Sequence, residues 1–293
     1  MVKKLGYIVE RDGECFYITE SQKVHSLDSG AYTIELDTNG ALLFKRTELS
    51  TNHIVEFPDS SLSTLRAECD KFLSETDKYE KYNLVHKRGI LLHGKSGTGK
   101  TATIHKLLES FLEKHNAISF FCSHFETLTR SQICKVREIE PDRPIVVVLE
   151  HLESLVIDEG NLINTELLEF LDGVNGINHV LFLATTSDLS IVPDSLKKRP
   201  SRFDLKVEIN LPSATDREYY FTTMIPENEL KKIKLENWIK DTDGYTISHL
   251  QELITSYFIY GQTYKASISN IRKLINGGDK GIGFELADTL EQE

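Results

Sequence analysis

A glycine-rich run in the first half of the chain constrains the fold more than any other feature. Its residues are Gly94, Lys95, Ser96, Gly97, Thr98, Gly99, Lys100 and Thr101. The run satisfies the phosphate-binding pattern GxxxxGK[ST] in full. In this pattern the glycines let backbone N–H groups surround a phosphate chain, the lysine reaches the β- and γ-phosphates, and the Thr101 hydroxyl ligates Mg²⁺. The run therefore predicts a site for ATP and Mg²⁺.

The neighbouring residues have the periodicity that such a site requires. A short apolar run at 89–93 precedes the loop, as expected of a buried strand, and apolar residues at helical spacing follow it from Ile104 to Leu112. Further apolar runs lie at 118–122, 145–149, 180–184 and 207–211. Strands that alternate with helices predict an α/β fold with a parallel sheet covered on both faces.

An acidic residue ends one of these apolar runs. Glu150 follows the run at 145–149, and at such a site this acid holds the water shell of the Mg²⁺. The next residue normally polarises the attacking water, and here it is His151. The sequence therefore predicts Thr101 and Glu150 as metal-binding residues and slow hydrolysis at a site that lacks the second acid. A nucleotide-binding site with little or no hydrolysis is the alternative.

Three further stretches resemble motifs of the AAA family of AAA+ ATPases. Residues 180–187 (VLFLATTS) resemble its sensor-1 strand, with Thr186 where Asn is usual. Residues 198–204 (KRPSRFD) resemble its arginine-finger motif, and residues 243–250 (DGYTISHL) resemble its lid-helix motif. The resemblance, with the P-loop and the acidic strand, covers roughly residues 60–260. It implies a three-layer P-loop AAA+ domain with a helical lid.

The resemblance also implies roles for particular residues. Glu150, His151, Thr186, Arg199 and Arg202 would serve catalysis, the two arginines by pointing into the neighbouring subunit's site. The linker residues Leu84 and Val85 and the lid residue Gly244 would contact the nucleotide. The assembly implied is a homo-oligomeric ring of six or seven subunits.

Within the family, the nearest likeness is to the mitochondrial translocase of the Rieske iron–sulfur protein and its relatives. It rests on residues 72–73, Tyr79, residues 87–89, 149–150 and 167–174. We expect no transmembrane segment in this chain, in contrast to that protein. The chain also lacks, over 123–130, the aromatic-apolar-Gly triplet of peptide-threading pores.

The patterns divide the chain into three predicted regions. Residues 1–57 form a small β-rich N-terminal domain, because alternating strands flank turn signals at 11–14 and 37–40. Residues 58–212 form the nucleotide-binding domain, and residues 213–293 form the helical lid. Possible capping boxes at Thr215 and Ser248 predict two helix starts in the lid.

Composition narrows the function classes. The net charge is −11, from 34 Lys+Arg against 45 Asp+Glu, which disfavours a nucleic-acid-binding surface. No apolar run reaches the length of a membrane span, so a cytoplasmic setting without membrane attachment is expected. The four cysteines form no CxxC pair, which favours ordinary thiols.

Three hypotheses for function follow. The first is an ATP-driven machine that remodels or translocates a protein partner held by residues 1–57. The second is a nucleotide-gated scaffold with little or no ATPase activity. The third, a DNA-associated motor, is disfavoured by the acidic charge.

Overall fold

The chain divides between Leu211 and Pro212 into two compact units. The computed structural model describes residues 7–12, 15–20, 26–36, 42–58, 61–122, 127–156, 165–172, 177–199 and 201–276.

The first unit is built on one sheet. Its strands are β1 (Tyr7–Asp12), β2 (Cys15–Glu20), β3 (Gly30–Leu36), β4 (Leu42–Thr47), β5 (Lys87–His93), β6 (Ile118–Cys122), β7 (Ile145–Leu149), β8 (Val180–Thr186) and β9 (Leu205–Glu208). Hydrogen bonds order the strands of the described residues β1-β2-β4-β3-β6-β7-β8-β5-β9. The six strands from β3 to β9 in this order run parallel.

Both faces of the parallel strands are covered. Every residue of β7 and β8 is buried, as expected of strands with a layer on each side. Along β7, Val147 packs in one core cluster while Val146 and Val148 pack in the other, because successive side chains of a strand point to opposite faces. The predicted α/β P-loop fold with a parallel sheet is confirmed.

Helices supply the two outer layers. In the first unit they are α1 (Ser61–Ser74), α2 (Thr76–Lys81), α3 (Lys100–His115), α4 (Thr127–Ile139), α5 (Leu152–Val156), α6 (Thr165–Asp172) and α7 (Asp194–Lys197). The predicted apolar face of α3, from Ile104 to Leu112, is buried. It shares its core cluster with α1, and α4 and α6 contribute to the cluster on the other face. The helix after the P-loop is thus fixed against the sheet.

The sheet continues across the boundary predicted after residue 57. β3 and β4 pair antiparallel, as the predicted hairpin requires, and β3 pairs parallel with β6. Tyr32 and Phe44 are buried against Phe120, with ring centroids 6.4 and 5.4 Å from it. Residues 13–14 of the turn predicted at 11–14, and the whole turn predicted at 37–40, lie outside the described residues. That residues 1–57 form a domain of their own stays a prediction.

The second unit is helical. It contains α8 (Ala214–Met224), α9 (Glu227–Leu230), α10 (Leu235–Asp241), α11 (Ile247–Ile254), a π-helical turn (Thr255–Ile259) and α12 (Tyr264–Ile275). The predicted capping boxes at Thr215 and Ser248 are wrong by two residues. The N-caps are Ser213 and Thr246, paired with Asp216 and His249, because these side chains, unlike the predicted ones, lie outside the first turn and can reach its free N–H groups.

Candidate nucleotide site

The P-loop joins β5 to α3 and depends on glycine at two points. A side chain at Gly94 would place its Cβ 2.2 Å from the carbonyl oxygen of Ile209. Gly99 caps α3 with φ +99, a left-handed conformation that other residues rarely adopt. The side chain of Thr98 is buried and its hydroxyl donates to the carbonyl of Lys95 at 2.9 Å. The loop is therefore held in its bent form by its own contacts.

Lys100 lies at the start of α3 and folds over the loop. Its ammonium donates to the carbonyl oxygens of Gly94 and Lys95 at 2.7 and 3.0 Å. Burial lowers the pKa of Lys100, and the carboxylate of Glu153 opposes that shift. The cation thus lies inside the loop, as the sequence predicts, within the field of an acid that the sequence does not assign to the site.

The carboxyl ends of three strands meet at the edge of the sheet that carries the P-loop. His93 at the end of β5 pairs with Thr186 at the end of β8, and Leu149 at the end of β7 pairs with Ala184. The parallel register therefore brings the residues after β7 and β8 to the same edge as the P-loop. Ligands of open α/β sheets bind at this edge.

The two residues after β7 face different surroundings. Glu150 has a buried carboxylate oxygen, Oε1, with no hydrogen-bond partner among the described residues. His151 adopts φ +52, and its backbone N–H donates to the Thr185 hydroxyl at 3.1 Å. Its side chain is 75% exposed. The left-handed turn therefore directs the imidazole toward solvent.

Glu153, which we did not assign to the site from sequence, points back toward the end of β8. Its Oε1 accepts a hydrogen bond from the Ser187 hydroxyl at 3.1 Å, and its Oε2 is buried without a partner among the described residues. Burial raises the pKa of Glu153, but the polar groups close to its carboxylate, namely its own backbone N–H, the Thr186 hydroxyl and Ser187, outweigh it and lower that pKa. The carboxylate is therefore held ionised. The signal in the sequence was a third polar residue soon after β7, because Glu153 lies three residues beyond Glu150.

Thr186 is fully buried at the end of β8. Its hydroxyl donates to the carbonyl of Asp188 at 3.1 Å and also accepts the N–H of Asp188. The residue predicted as sensor 1 thus lies at the same strand end as Glu153.

The two arginines of the predicted finger motif differ in exposure. Arg202 is 4% exposed and donates to both carboxylate oxygens of Asp172, at 2.9 and 2.8 Å, and to the carbonyl of Ser195 at 2.8 Å. The Arg199 side chain is 57% exposed and reaches Asp172 at 2.9 Å. Arg199 therefore keeps its guanidinium open to solvent, whereas Arg202 is a buried ion-pair partner of Asp172.

The loop that carries these arginines is anchored on β5. A Cβ at Gly89 would lie 1.8 Å from the carbonyl oxygen of Arg202. The N–H of Gly89 donates to Asp204 at 3.1 Å, and Lys87 donates to the carbonyls of Leu171 and Ser201. The Lys-Arg-Gly run at 87–89 therefore holds the arginine loop beside the strand that leads into the P-loop.

The predicted base-contacting residues lie in separate units. Leu84 and Val85 lie shortly before β5, separated from it by His86, and are 60% and 39% exposed. Gly244 lies between α10 and α11 of the second unit with φ +77. Contact of these residues with an adenine stays a prediction.

The residues at the sheet edge fit the predicted Mg²⁺. Oxygen donors suit this hard cation, and the orphaned buried oxygen of Glu150 is such a donor. Thr101 is exposed in the first turn of α3, beside Lys100. When bound, the ion would screen the phosphate charge. Glu150 would orient its water shell, and Thr101 would supply a hydroxyl ligand.

A P-loop at the carboxyl edge of a parallel sheet, with an acidic strand end beside it, defines a nucleoside-triphosphate-binding domain. Residues 90–211 match the family described as "ATPase family associated with various cellular activities (AAA)". Over this segment the chain is similar to the AAA family, which supports the resemblance inferred from the motifs at the level of the family.

Curated relatives agree with this assignment. The ATP-dependent zinc metalloprotease FtsH of Ureaplasma parvum is 25% identical over 72% of the chain and 31% of its own length. A protein of Bifidobacterium dentium named "AAA ATPase forming ring-shaped complexes" is 22% identical over 84% of the chain and 52% of its own length. The vesicular-fusion protein SEC18 of Candida albicans is 26% identical over 66% and 28%. The chain spans between about a quarter and a half of the lengths of these relatives.

Among the described residues, no helix is both long and apolar enough to cross a bilayer.

Proposed function

We propose that the chain is an ATPase subunit that binds ATP with Mg²⁺, assembles into a homo-oligomeric ring of six or seven copies, and remodels or translocates a protein partner. The observation that carries the proposal is the placement of Lys100 inside a preformed P-loop at the sheet edge that also holds Glu150 and Thr186. The name of the Bifidobacterium relative, which forms rings, supports the assembly.

The cross-subunit contact in this proposal is made by Arg199. Its guanidinium is exposed, whereas that of Arg202 is enclosed by Asp172 and Ser195. An exposed arginine can reach the γ-phosphate of a neighbouring subunit, where such a cation stabilises transition-state charge. Arg202 and Asp172 then hold the loop in position, which is a role different from the one predicted for Arg202.

Hydrolysis in this proposal is slow. The residue after Glu150 is an imidazole that points toward solvent, so the usual second acid does not act at that position. Recognition of the partner by residues 1–57, the contact of Leu84, Val85 and Gly244 with the base, and the likeness to the Rieske-protein translocase belong to the same proposal. A nucleotide-gated scaffold without turnover is the competing candidate, and the exposed imidazole is the observation that favours it.

Light scattering coupled to size-exclusion chromatography tests the proposal. A contact from Arg199 to a neighbour's γ-phosphate adds interface energy only when ATP is bound. We expect larger species with a non-hydrolysable ATP analogue than with ADP, and we expect Arg199→Ala to remove the difference. A monomer under every nucleotide condition would contradict the ring. A ring that forms with ATP and releases no phosphate would favour the scaffold.

A further inference from the structure

The short turn between β7 and α5 reverses the expected roles of two neighbouring residues. Because His151 adopts a left-handed conformation, its imidazole leaves the sheet edge and is 75% exposed. Glu153, two residues later, turns back, and its carboxylate is 18% exposed. The acidic side chain that turns back to the strand ends is therefore at position 153, and not at position 151 where the motif predicts it.

The surroundings of the Glu153 carboxylate differ between its two oxygens. The Ser187 hydroxyl donates to Oε1 at 3.1 Å, and the nearest nitrogen of His151, Nδ1, lies 3.9 Å from the same oxygen. The other oxygen, Oε2, is buried and accepts no hydrogen bond among the described residues. A buried acceptor without a partner is costly, and a bound water molecule would remove that cost.

The positive charge of Lys100 lies in the same site as this carboxylate. The Lys100 ammonium donates to the P-loop carbonyls. Burial lowers the pKa of Lys100, and the negative charge of Glu153 opposes this shift. Glu150 offers a separate buried oxygen, Oε1. The two acids therefore present two unfilled acceptor oxygens at one edge of the sheet, one for the metal's water shell and one for another water.

We propose that Glu153 is the catalytic carboxylate that accepts a hydrogen bond from the attacking water, in place of an acid at position 151. The proposal rests on the ATPase function proposed above. Glu150 keeps the task of holding the Mg²⁺ shell, and Ser187 is the positioning residue that orients the Glu153 carboxylate.

The step balances without another reactant. The water oxygen bonds to the γ-phosphorus while the bond from that phosphorus to the β,γ-bridging oxygen breaks, and ADP keeps the electron pair. One water proton passes to Glu153 and then to the released phosphate, which restores the carboxylate. Lys100 stabilises the charge that develops on the phosphate oxygens.

Three glutamine variants test this assignment: Glu153→Gln, Glu150→Gln and, as the matched control at an exposed position of α3, Glu113→Gln. Single-turnover phosphate release measures hydrolysis. Calorimetric titration with ATP, in the presence of Mg²⁺ and then of EDTA, measures binding independently of activity. In Glu153→Gln the side-chain amide keeps an oxygen that can accept from Ser187, so the substitution removes the charge with little change in shape.

We expect Glu153→Gln to slow hydrolysis on the order of 10²- to 10⁴-fold, the range for general-base catalysis, with ATP affinity close to that of wild type. Glu150→Gln should weaken binding of ATP only when Mg²⁺ is present. Glu113→Gln should leave both quantities close to those of wild type. Ser187→Ala, a second variant, should slow hydrolysis by up to about 10²-fold, the cost of a misplaced catalytic group, at unchanged affinity.

Any other result contradicts a particular part of the proposal. Hydrolysis by Glu153→Gln or Ser187→Ala at the wild-type rate would remove Glu153 from the reaction. A loss of Mg²⁺-dependent affinity in Glu153→Gln would reassign it to the metal. A wild-type protein that binds ATP with Mg²⁺ and never hydrolyses it would overturn both this proposal and the hydrolytic function, whereas one that fails to bind ATP would overturn the nucleotide site itself.

Discussion

Arg202 and Asp172 form a two-point ion pair in which each carboxylate oxygen accepts one guanidinium N–H, at 2.9 and 2.8 Å. The Arg202 and Asp172 side chains are 4% and 13% exposed, and the two residues come from opposite ends of a 30-residue interval. Hydrogen bonds from Arg202 hold the pKa of Asp172 below its usual value. The pair therefore fastens the loop of residues 199–204 to the end of α6.

Arg202→Ala should destabilise the first unit, because it leaves the Asp172 carboxylate partly buried without its main partner. Removal of one member of a buried pair costs about 3–5 kcal/mol. Arg199→Ala is the matched control, since its exposed pair should contribute about 1 kcal/mol or less. Urea unfolding measures both. Equal free energies of unfolding for the two variants would show that Arg202 does not hold the loop.

Lys100→Ala should abolish most ATP binding. Its ammonium is the side-chain cation held within the P-loop, and the phosphate charge has no comparable partner in the described part of that loop. Calorimetric titration with ATP should show a loss of more than about tenfold in affinity, equivalent to about 1.4 kcal/mol or more. Lys95→Ala, at an exposed position of the same loop, is the control. An affinity close to that of wild type in Lys100→Ala would contradict the proposed phosphate site.

Phe44→Ala should destabilise the nucleotide-binding unit although Phe44 lies in the N-terminal β segment. Phe44 is 1% exposed and packs on Phe120 of β6, and truncation of a buried Phe costs about 3–5 kcal/mol. Lys45→Ala, at the next and exposed position of β4, should cost little. Urea unfolding followed by ATP binding measures the effect.

A deletion of residues 1–57 extends this test. It removes β3, the partner of β6, and so leaves an unpaired edge strand that carries Phe120. We expect loss of cooperative folding and of ATP binding. A truncated protein that folds and binds ATP like wild type would instead support an independent N-terminal domain.

Stability should fall below pH about 6.5, the usual pKa of histidine, because of His86 and His179. Their Nδ1 atoms are 2.8 Å apart, and Nε2 of His86 lies 2.9 Å from the carbonyl of Phe72. Nε2 must therefore carry the proton of neutral His86, so His179 donates to its Nδ1. Protonation of His86 at Nδ1 would set two N–H groups against each other and remove this hydrogen bond.

The pKa shifts give the direction of the effect. Burial lowers the pKa of both residues, and Arg137 adds to each shift. The Phe72 carbonyl and Glu80 oppose the shift of His86, and its neighbour His179 adds to it. Asp142 and Glu80 oppose the shift of His179. The unfolded chain thus binds protons at a higher pH than the folded chain, and stability is lost as the pH falls through the unfolded value. His179→Asn, which tolerates the observed φ of +57, should flatten the dependence in thermal unfolding across the pH range around the histidine pKa. An unchanged pH profile in that variant would contradict the coupling.

The amino-acid sequence by itself determined the P-loop, the parallel strands and the apolar face of α3. Each of these depends on a local pattern: a fixed spacing of Gly, Lys and Thr, a run of consecutive apolar residues, or the helical period of about 3.6 residues. The loop at 94–101 also predicts its own chemistry, because its backbone geometry and its lysine lie within one short segment.

Only the tertiary structure decided which side chains face the site. A left-handed turn at His151 sends the imidazole outward and brings Glu153 to the strand ends. Both arginines reach Asp172, but Arg202 is buried and Arg199 is exposed. The pairing of β3 with β6 joins residues nearly ninety positions apart in one sheet. Such outcomes depend on partners distant in the chain and on the direction of single side chains, which no local spacing specifies.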